Sequence, residues 1–373
     1  MQEQISSGAQ SGDAGGKSVQ PHVQPRALKR IRLLSVAVIA YNEESCIDDI
    51  LGDLVSQSFD HARVEVILVD GCSSDGTKGK MLFFARANKK NGRGFHRVLV
   101  LDNPKRIQAA ACNVALRAYE GDAFMRIDAH ARIPSDFIEN VVGVLDEGFY
   151  ACGGPRPTAV SDPTPWRNTL HVAEESAFGS SIADYRRAGA RRFVSSIFHG
   201  AYRREVFERV GLYNEALVRT EDNDMSYRIR EAGFEIVSDP SIRSVQYMRS
   251  SLFRMLKQKF GNGYWIGRTL YVQPRCVRPY HLVPFAFVCG VIAMLALGVL
   301  VSWAPFLACA VAYLLLCAGL SVRAATQTPA KERNVTMVAL PLVFALIHLS
   351  YGVGTAVGIV RGKPAPFEVE AGC

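Results

Sequence analysis

Asp128-Ala129-His130 places two ligand-capable side chains two residues apart, directly after the apolar run Ala123-Phe124-Met125-Arg126-Ile127. A carboxylate and an imidazole at that spacing can face one cation or one diphosphate. The carboxylate suits Mg²⁺ or Mn²⁺, and the imidazole leans the site toward Mn²⁺. Three further acidic groups recur near the ends of predicted elements: Glu43, Asp70 with Asp75, and Glu221-Asp222. Each alone reads equally as a solvated or helix-capping acid. Together in one domain they suggest a cleft for a cation and a polar ligand.

The elements that must position these groups alternate at short spacing. Residues 33–40 are a short apolar run bounded by polar residues, the signature of a buried parallel strand. Residues 64–69, 95–101 and 123–127 repeat it, and helical segments are expected after each of the first three. The pattern predicts an α/β fold with a mostly parallel sheet covered on both faces. Ligands in such folds bind beyond the carboxyl ends of the strands, where Tyr41, Asp70, Asn103 and Asp128 all fall. Residues 158–194 are expected to be irregular, with prolines at 163 and 165 and the basic cluster Arg186, Arg187, Arg191 and Arg192. A helix is expected from Met225 to Ala232, preceded by Glu221-Asp222.

The chain is 373 residues long with a net charge of +8, spread without dense basic runs. That argues against nucleic acid as a partner. Nine cysteines are scattered with no Cys-x-x-Cys pair, which argues against a structural zinc site or a disulfide scaffold. Residues 1–30 read as a disordered polar tail with no apolar leader region. Between His281 and Val360 the only charged residues are Arg323, Lys331, Glu332 and Arg333. About three membrane-spanning helices are therefore expected, over 283–303, 304–322 and 335–360. Arg268, Arg275 and Arg278 precede the first span, and Arg323, Lys331 and Arg333 lie between the second and third. The positive-inside rule places both groups, and the domain at 31–250, in the cytoplasm. Residues 251–280 fit either an interfacial amphipathic segment or a core helix, because Leu252, Phe253, Leu256 and Phe260 share one face.

The motifs, taken in order, resemble the inverting family-2 glycosyltransferases of GT-A fold over about residues 33–265. Ala40-Tyr41-Asn42-Glu43 resembles the segment packed against the nucleotide base, and Val69 to Thr77 is the most specific match. The resemblance implies nucleotide contacts for Ala40, Tyr41, Glu43, Asp70, Ser73, Asp75, Arg106 and Asp128. Asp128-Ala129-His130 stands where the family carries Asp-x-Asp, which implies Mn²⁺ or Mg²⁺ at Asp128, with His130 in place of the second acid. Glu221-Asp222 resembles the pair whose second acid is the catalytic base, which makes Asp222 the base and Glu221 its neighbour. Within the family the chain most resembles the succinoglycan-biosynthesis ExoA-like group of bacterial glucosyltransferases. It is then expected to be a bacterial inner-membrane enzyme that moves one sugar, glucose by that resemblance, from a UDP-sugar to a polyprenyl-diphosphate-linked glycan during exopolysaccharide or cell-surface polysaccharide synthesis. Other polysaccharide-assembly proteins are candidate partners. Direct synthesis of a polyprenyl-phosphate sugar and a non-catalytic membrane scaffold are the alternatives. Gln246-Tyr247-Met248-Arg249 departs from the Gln-x-x-Arg-Trp of processive synthases, since Ser250 follows. His199, Arg191, Arg192, His348 and Tyr351 are acceptor-side candidates. For His199 a satisfied structural histidine, for the arginines a wet surface, and for His348 and Tyr351 helix packing, are the competing readings.

Overall fold

The computed structural model describes residues 28–365 apart from 93, 161, 180–188 and 248–250. Arg186, Arg187 and nearly all of the expected tail lie outside the described residues. The first half alternates as expected: β1 (Leu34–Ala40), α1 (Ile47–Val55), β2 (Val64–Asp70), α2 (Thr77–Asn91), β3 (Arg97–Asp102), α3 (Gln108–Ala118), β4 (Ala123–Asp128), β5 (Ala131–Arg132) and α4 (Phe137–Asp146). Then follow β6 (Ala151–Gly153), β7 (Thr158–Ala159), α5 (Pro165–Glu175), β8 (Arg192–Phe193), β9 (Ala201–Arg203), α6 (Arg204–Val210), α7 (Glu221–Glu231), β10 (Ile236–Ser238) and β11 (Val245–Tyr247). Four longer helices complete the chain: α8 (Leu252–Thr269), α9 (Pro279–Leu300), α10 (Ala304–Gln327) and α11 (Leu340–Arg361).

The main sheet runs β3-β2-β1-β4-β9-β6-β10-β8. Its first four strands are parallel, while β9 is antiparallel to both β4 and β6. Strands β1 and β2 are buried almost throughout, which is why they read as unbroken apolar runs rather than alternating ones. One apolar core lies on each face of the sheet. A second sheet, β5-β11-β7, sits at the carboxyl end of β4.

Two sequence expectations need correcting. The stretch 158–194 contains α5, because Pro165 occupies the first helical position, where its missing N–H costs nothing. Thr164 caps that helix, its Oγ1 accepting from the Arg167 N–H at 3.2 Å. Glu221 and Asp222 do not precede α7 but form its first turn.

Helices α9, α10 and α11 are long and apolar enough to cross a membrane, so the chain is a multi-pass membrane protein. Helix α8 lies along α11, and the contact is made by glycines on both sides. A Cβ added to Gly263 would lie 2.0 Å from the Tyr351 carbonyl oxygen, and one on Gly354 2.2 Å from that of Phe260. Gly267 and Gly358 repeat the contact one turn on. Two small-x-x-x-small faces therefore bring the backbones together. Met255, Gly263, Ile266 and Gly267 of α8 are buried, while Phe253 and Phe260 remain 76% and 37% exposed. Lys259 of α8 makes a buried ion pair with Glu174 of α5 at 2.7 Å. These contacts join the membrane helices to the sheet domain.

Candidate active site

Strand register creates the site. Ala40 pairs with Asp70 and Ile39 with Asp128, so β1, β2 and β4 end together and present Tyr41, Asp70 and Asp128 at one edge. The loops beyond are cross-linked. Asn42 N–H donates to Ser73 Oγ at 2.9 Å, and Ser74 N–H donates back to Asn42 Oδ1 at 2.8 Å. Glu43 N–H donates to Thr77 Oγ1 at 2.8 Å, and Glu44 N–H to Asp75 Oδ2 at 3.2 Å. Ser73 and Asp75 thus hold one loop against the other. The Thr77 hydroxyl bound to Asp75 holds that carboxyl below its usual range.

Asn42, Cys72, Arg106 and His199 have φ of 53°, 60°, 55° and 47°, and they are the only non-glycine residues with positive φ among the described residues. All four lie on loops at this edge. Such conformations cost about 1–3 kcal/mol each and persist where surrounding structure enforces them. Asp70 is fully buried: its Oδ2 accepts from Ser73 N–H at 3.0 Å, and its Oδ1 has no hydrogen-bond partner among the described residues. Asn103 Oδ1 is likewise buried without a partner, and its N–H donates to the Asp70 carbonyl at 2.7 Å. Two buried acceptors that lack donors among the described residues thus lie on neighbouring loops at this edge. Tyr41 is half exposed beside them, and Arg106 is exposed.

The second half of the site is built around Arg126, a residue the sequence reading passed over as part of an apolar strand. Its guanidinium is buried and donates to both oxygens of Asp222, Nη1 at 3.2 Å and Nη2 at 3.1 Å. Its Nε lies 3.7 Å from Asp128, and Nη1 lies 3.9 Å from Glu221. One cation therefore gathers three carboxylates from β4 and α7. Burial opposes the Arg126 charge, but Asp222 and then Asp128 outweigh it and raise its pKa. Burial also opposes the Asp128 charge, yet the Arg126 guanidinium holds that carboxyl far below its usual range. Glu221 goes the other way. Burial first, then the Asp222 charge, push it well up, and its Oε2 has no partner among the described residues.

His199 is buried beside Asp128. Its Nε2 accepts the Asp128 N–H at 3.3 Å and its Nδ1 lies 2.9 Å from Ser244 Oγ. Burial lowers the His199 pKa. His130 lies between Glu43 Oε1, 3.1 Å from Nδ1, and the Gln246 side-chain amide, 2.8 Å from Nε2. The bond to Glu43 raises the His130 pKa. Gln246 arrives because β11 pairs with β5 just after His130. Arg156, buried and stacked 3.5 Å over the Phe198 ring, completes this wall. The same ring lies 5.4 Å from the Arg126 guanidinium carbon. In the sequence Gln246 stands out only within Gln246-Tyr247-Met248-Arg249, and nothing there marks Arg156.

No group of three or more His, Cys, Asp or Glu side chains is gathered for a metal among the described residues. The donor set is one ionised carboxylate, Asp128, and one imidazole, His130. Asp128 fits a cation that takes most of its oxygen ligands from a diphosphate, whereas both ring nitrogens of His130 are engaged, by Glu43 and Gln246.

The acceptor-side candidates are not brought together. Arg191 bridges Glu147 and Asp239, its Nη2 lying 3.0 Å from Glu147, and Arg192 sits in the edge strand β8. His348 is tied to helix packing: Tyr313 Oη lies 2.9 Å from Nδ1 and the Phe178 carbonyl 2.7 Å from Nε2. Tyr351 lies on α11 against Gly263 of α8. A link that the sequence concealed joins the site to the membrane. The Thr220 hydroxyl, directly before Glu221, lies 2.6 Å from that of Thr269 at the end of α8.

The sequence pattern described as "Glycosyl transferase family 2" matches residues 35–211. The succinoglycan biosynthesis protein ExoA of Rhizobium meliloti is 30% identical over 233 residues, covering 61% of this chain and 67% of that protein. A Methanococcus voltae dolichyl N-acetyl-alpha-D-glucosaminyl phosphate 3-beta-D-2,3-diacetamido-2,3-dideoxy-beta-D-glucuronosyltransferase is 22% identical, covering 89% and 99%. An undecaprenyl-phosphate 4-deoxy-4-formamido-L-arabinose transferase of Yersinia enterocolitica is 27% identical, covering 55% and 62%. Among solved structures, a mannosyltransferase from Pyrobaculum calidifontis in complex with GDP-Man and Mn²⁺ superposes with a TM-score of 0.57 at 18% identity, covering 91% of each chain.

Proposed function

The chain belongs to glycosyl transferase family 2, and on that premise we propose that it transfers one sugar from a nucleotide-diphosphate sugar to a polyprenyl phosphate at the membrane surface. One observation carries the reading: the helix bearing Glu221 and Asp222 is tied through α8 to the membrane helix α11. Thr220 links the start of α7 to α8, and α8 is packed backbone to backbone on α11. A lipid acceptor emerging beside those helices reaches this cluster. The positive-inside pattern of the sequence supports a reaction on the cytoplasmic face.

In this reading the donor base occupies the cleft of Tyr41, Asp70 and Asn103, where the two buried oxygens accept its N–H groups. We take a UDP-sugar as the first donor class to test. Asp128 would hold Mn²⁺ or Mg²⁺ together with the donor diphosphate, and that cation would neutralise charge on the leaving group. Arg126 keeps Asp128 ionised and fixes Asp222 in place. A phosphomonoester, whose second pKa is about 6, is already largely dianionic at neutral pH. It attacks the anomeric carbon without a base, and displacement from the opposite face inverts the centre. This suits an Asp222 whose two oxygens are both engaged by Arg126. Its work is then to hold the guanidinium and the cleft wall.

The competing acceptor is a sugar hydroxyl on a lipid carrier, favoured by the 30% exposure of the Asp222 side chain and by the likeness to the Methanococcus enzyme. There Asp222 takes the hydroxyl proton. Purified protein is assayed with UDP- and GDP-sugars against undecaprenyl phosphate and a lipid-linked glycan extract. Formation of a monosaccharide phosphate lipid, reduced only several-fold by Asp222→Asn, supports the first acceptor. Sugar addition to the glycan with a loss of about 10²–10⁴-fold in Asp222→Asn supports the second. No turnover of any nucleotide-sugar by folded protein refutes both.

A further inference from the structure

Where the first membrane helix begins, a polar cleft opens away from the carboxylates. Ser195, Asn223, Ser226, Arg230, Arg278 and His281 line it. Arg278 directly precedes α9, and Arg230 lies in the last turn of α7. Arg230 Nε is buried without a hydrogen-bond partner among the described residues. Burial and then the Arg278 charge pull the Arg230 pKa below its ordinary value. Two partly buried cations thus share one cleft, and their mutual repulsion is relieved when an anion joins them. The nearby acids do not supply one. Asp224 is held by Arg228 at 2.9 Å, and the exposed Glu231 offsets less than Arg278 adds. Ser195, Asn223 and Ser226 add hydroxyl and amide donors, and the N-terminus of α9 adds positive potential.

We propose that this cleft is a binding site for the phosphate of an anionic bilayer phospholipid. Its place at the start of a 22-residue apolar helix puts it at headgroup level. Two guanidiniums with neutral donors match a phosphodiester, whose oxygens accept in pairs. The carrier phosphate of the transfer reaction does not fit. Arg230 is eight residues beyond Asp222 on α7, roughly 12 Å along the helix, too far for a nucleophile that must meet the sugar beside Asp222. A phospholipid held here pins the far end of α7 to the membrane while its first turn carries the reactive carboxylates. The site is independent of which acceptor the enzyme uses.

The test uses the full chain in detergent, titrated with phosphatidylglycerol, phosphatidylcholine or undecaprenyl phosphate, with bound lipid counted by native mass spectrometry. Phosphatidylglycerol is expected to be retained over phosphatidylcholine, and the Arg230→Gln/Arg278→Gln double variant to lose about tenfold or more of that retention. Equal retention by the double variant overturns the proposal, as does retention of undecaprenyl phosphate alone. A second measurement needs no variant. The apparent unfolding midpoint of the wild type is expected to rise when phosphatidylglycerol replaces phosphatidylcholine in mixed micelles, and an unchanged midpoint overturns the proposal.

Discussion

Removing the guanidinium of Arg126 tests the whole architecture of the carboxylate cluster. Arg126→Met keeps the apolar stem packed in β4 but leaves Asp222 and Asp128 without their cation. At an effective dielectric constant of about 20, a charge pair at the 3.1 Å separation from Asp222 is worth about 5 kcal/mol, and one at the 3.7 Å separation from Asp128 about 4 kcal/mol. Relief from burying the guanidinium itself returns several kcal/mol. The net loss on breaking such a buried pair is about 3–5 kcal/mol. For a domain of this size that lowers the unfolding midpoint by roughly 6–20 °C. The sign with pH follows from Asp128, whose folded-state pKa is depressed. Its pairing stabilises the native state above the ordinary carboxylate range and is lost as pH falls. The gap between wild type and variant is therefore expected to be widest at neutral pH and to narrow toward pH 4. Tryptophan fluorescence of the detergent-purified chain follows unfolding, and sugar transfer is measured alongside. Asp222→Asn in the Arg126→Met background should recover part of the loss, because one stranded charge is gone. An Arg126→Met protein with an unchanged midpoint at neutral pH would refute the reasoning.

Glu221→Gln should flatten the pH dependence of stability. Because the Glu221 pKa is raised in the folded state, its contribution is full below the ordinary carboxylate range and lost as pH rises, so the variant's midpoint should gain on the wild type toward pH 8. Equal slopes for the two proteins would count against it. Asp70→Ala should raise KM for the nucleotide-sugar about tenfold or more while leaving the unfolding midpoint within a few degrees; steady-state kinetics against the donor decide this. Gly354→Ala should force α8 and α11 apart at a cost of about 1–3 kcal/mol and reduce activity, since its new Cβ would lie 2.2 Å from the Phe260 carbonyl oxygen. Gly290→Ala on α9, with no atom within 4 Å of its new Cβ, should leave thermal stability and activity unchanged.

Much of the fold was legible because its signals are local. Parallel strands buried on both faces write themselves as apolar runs, and three long uncharged segments need only length and hydropathy. The boundaries that moved did so for local reasons too. Pro165 reads as a breaker until its place behind the Thr164 cap is seen, and Glu221-Asp222 reads as a preceding loop although acidic residues suit a helix's first turn. The site was legible only in part. Asp70, Asp128 and Asp222 stand out as acids near element ends. Arg126 is hidden because a single charge inside an apolar strand gives no sign of what it faces, and its partner lies 96 residues away.

Residue types and their order along the chain determined the α/β alternation, the membrane spans, and which carboxylates end up on strand ends or the first turn of a helix. Those depend on short-range periodicity and on transfer of apolar surface from water. Tertiary structure alone decided that Arg126 binds Asp222, that His130 lies between Glu43 and Gln246, and that α8 lies glycine to glycine on α11. Each of these is a contact between distant segments. Its energy depends on burial and on distances of a few ångströms, quantities that exist only once the chain has closed on itself.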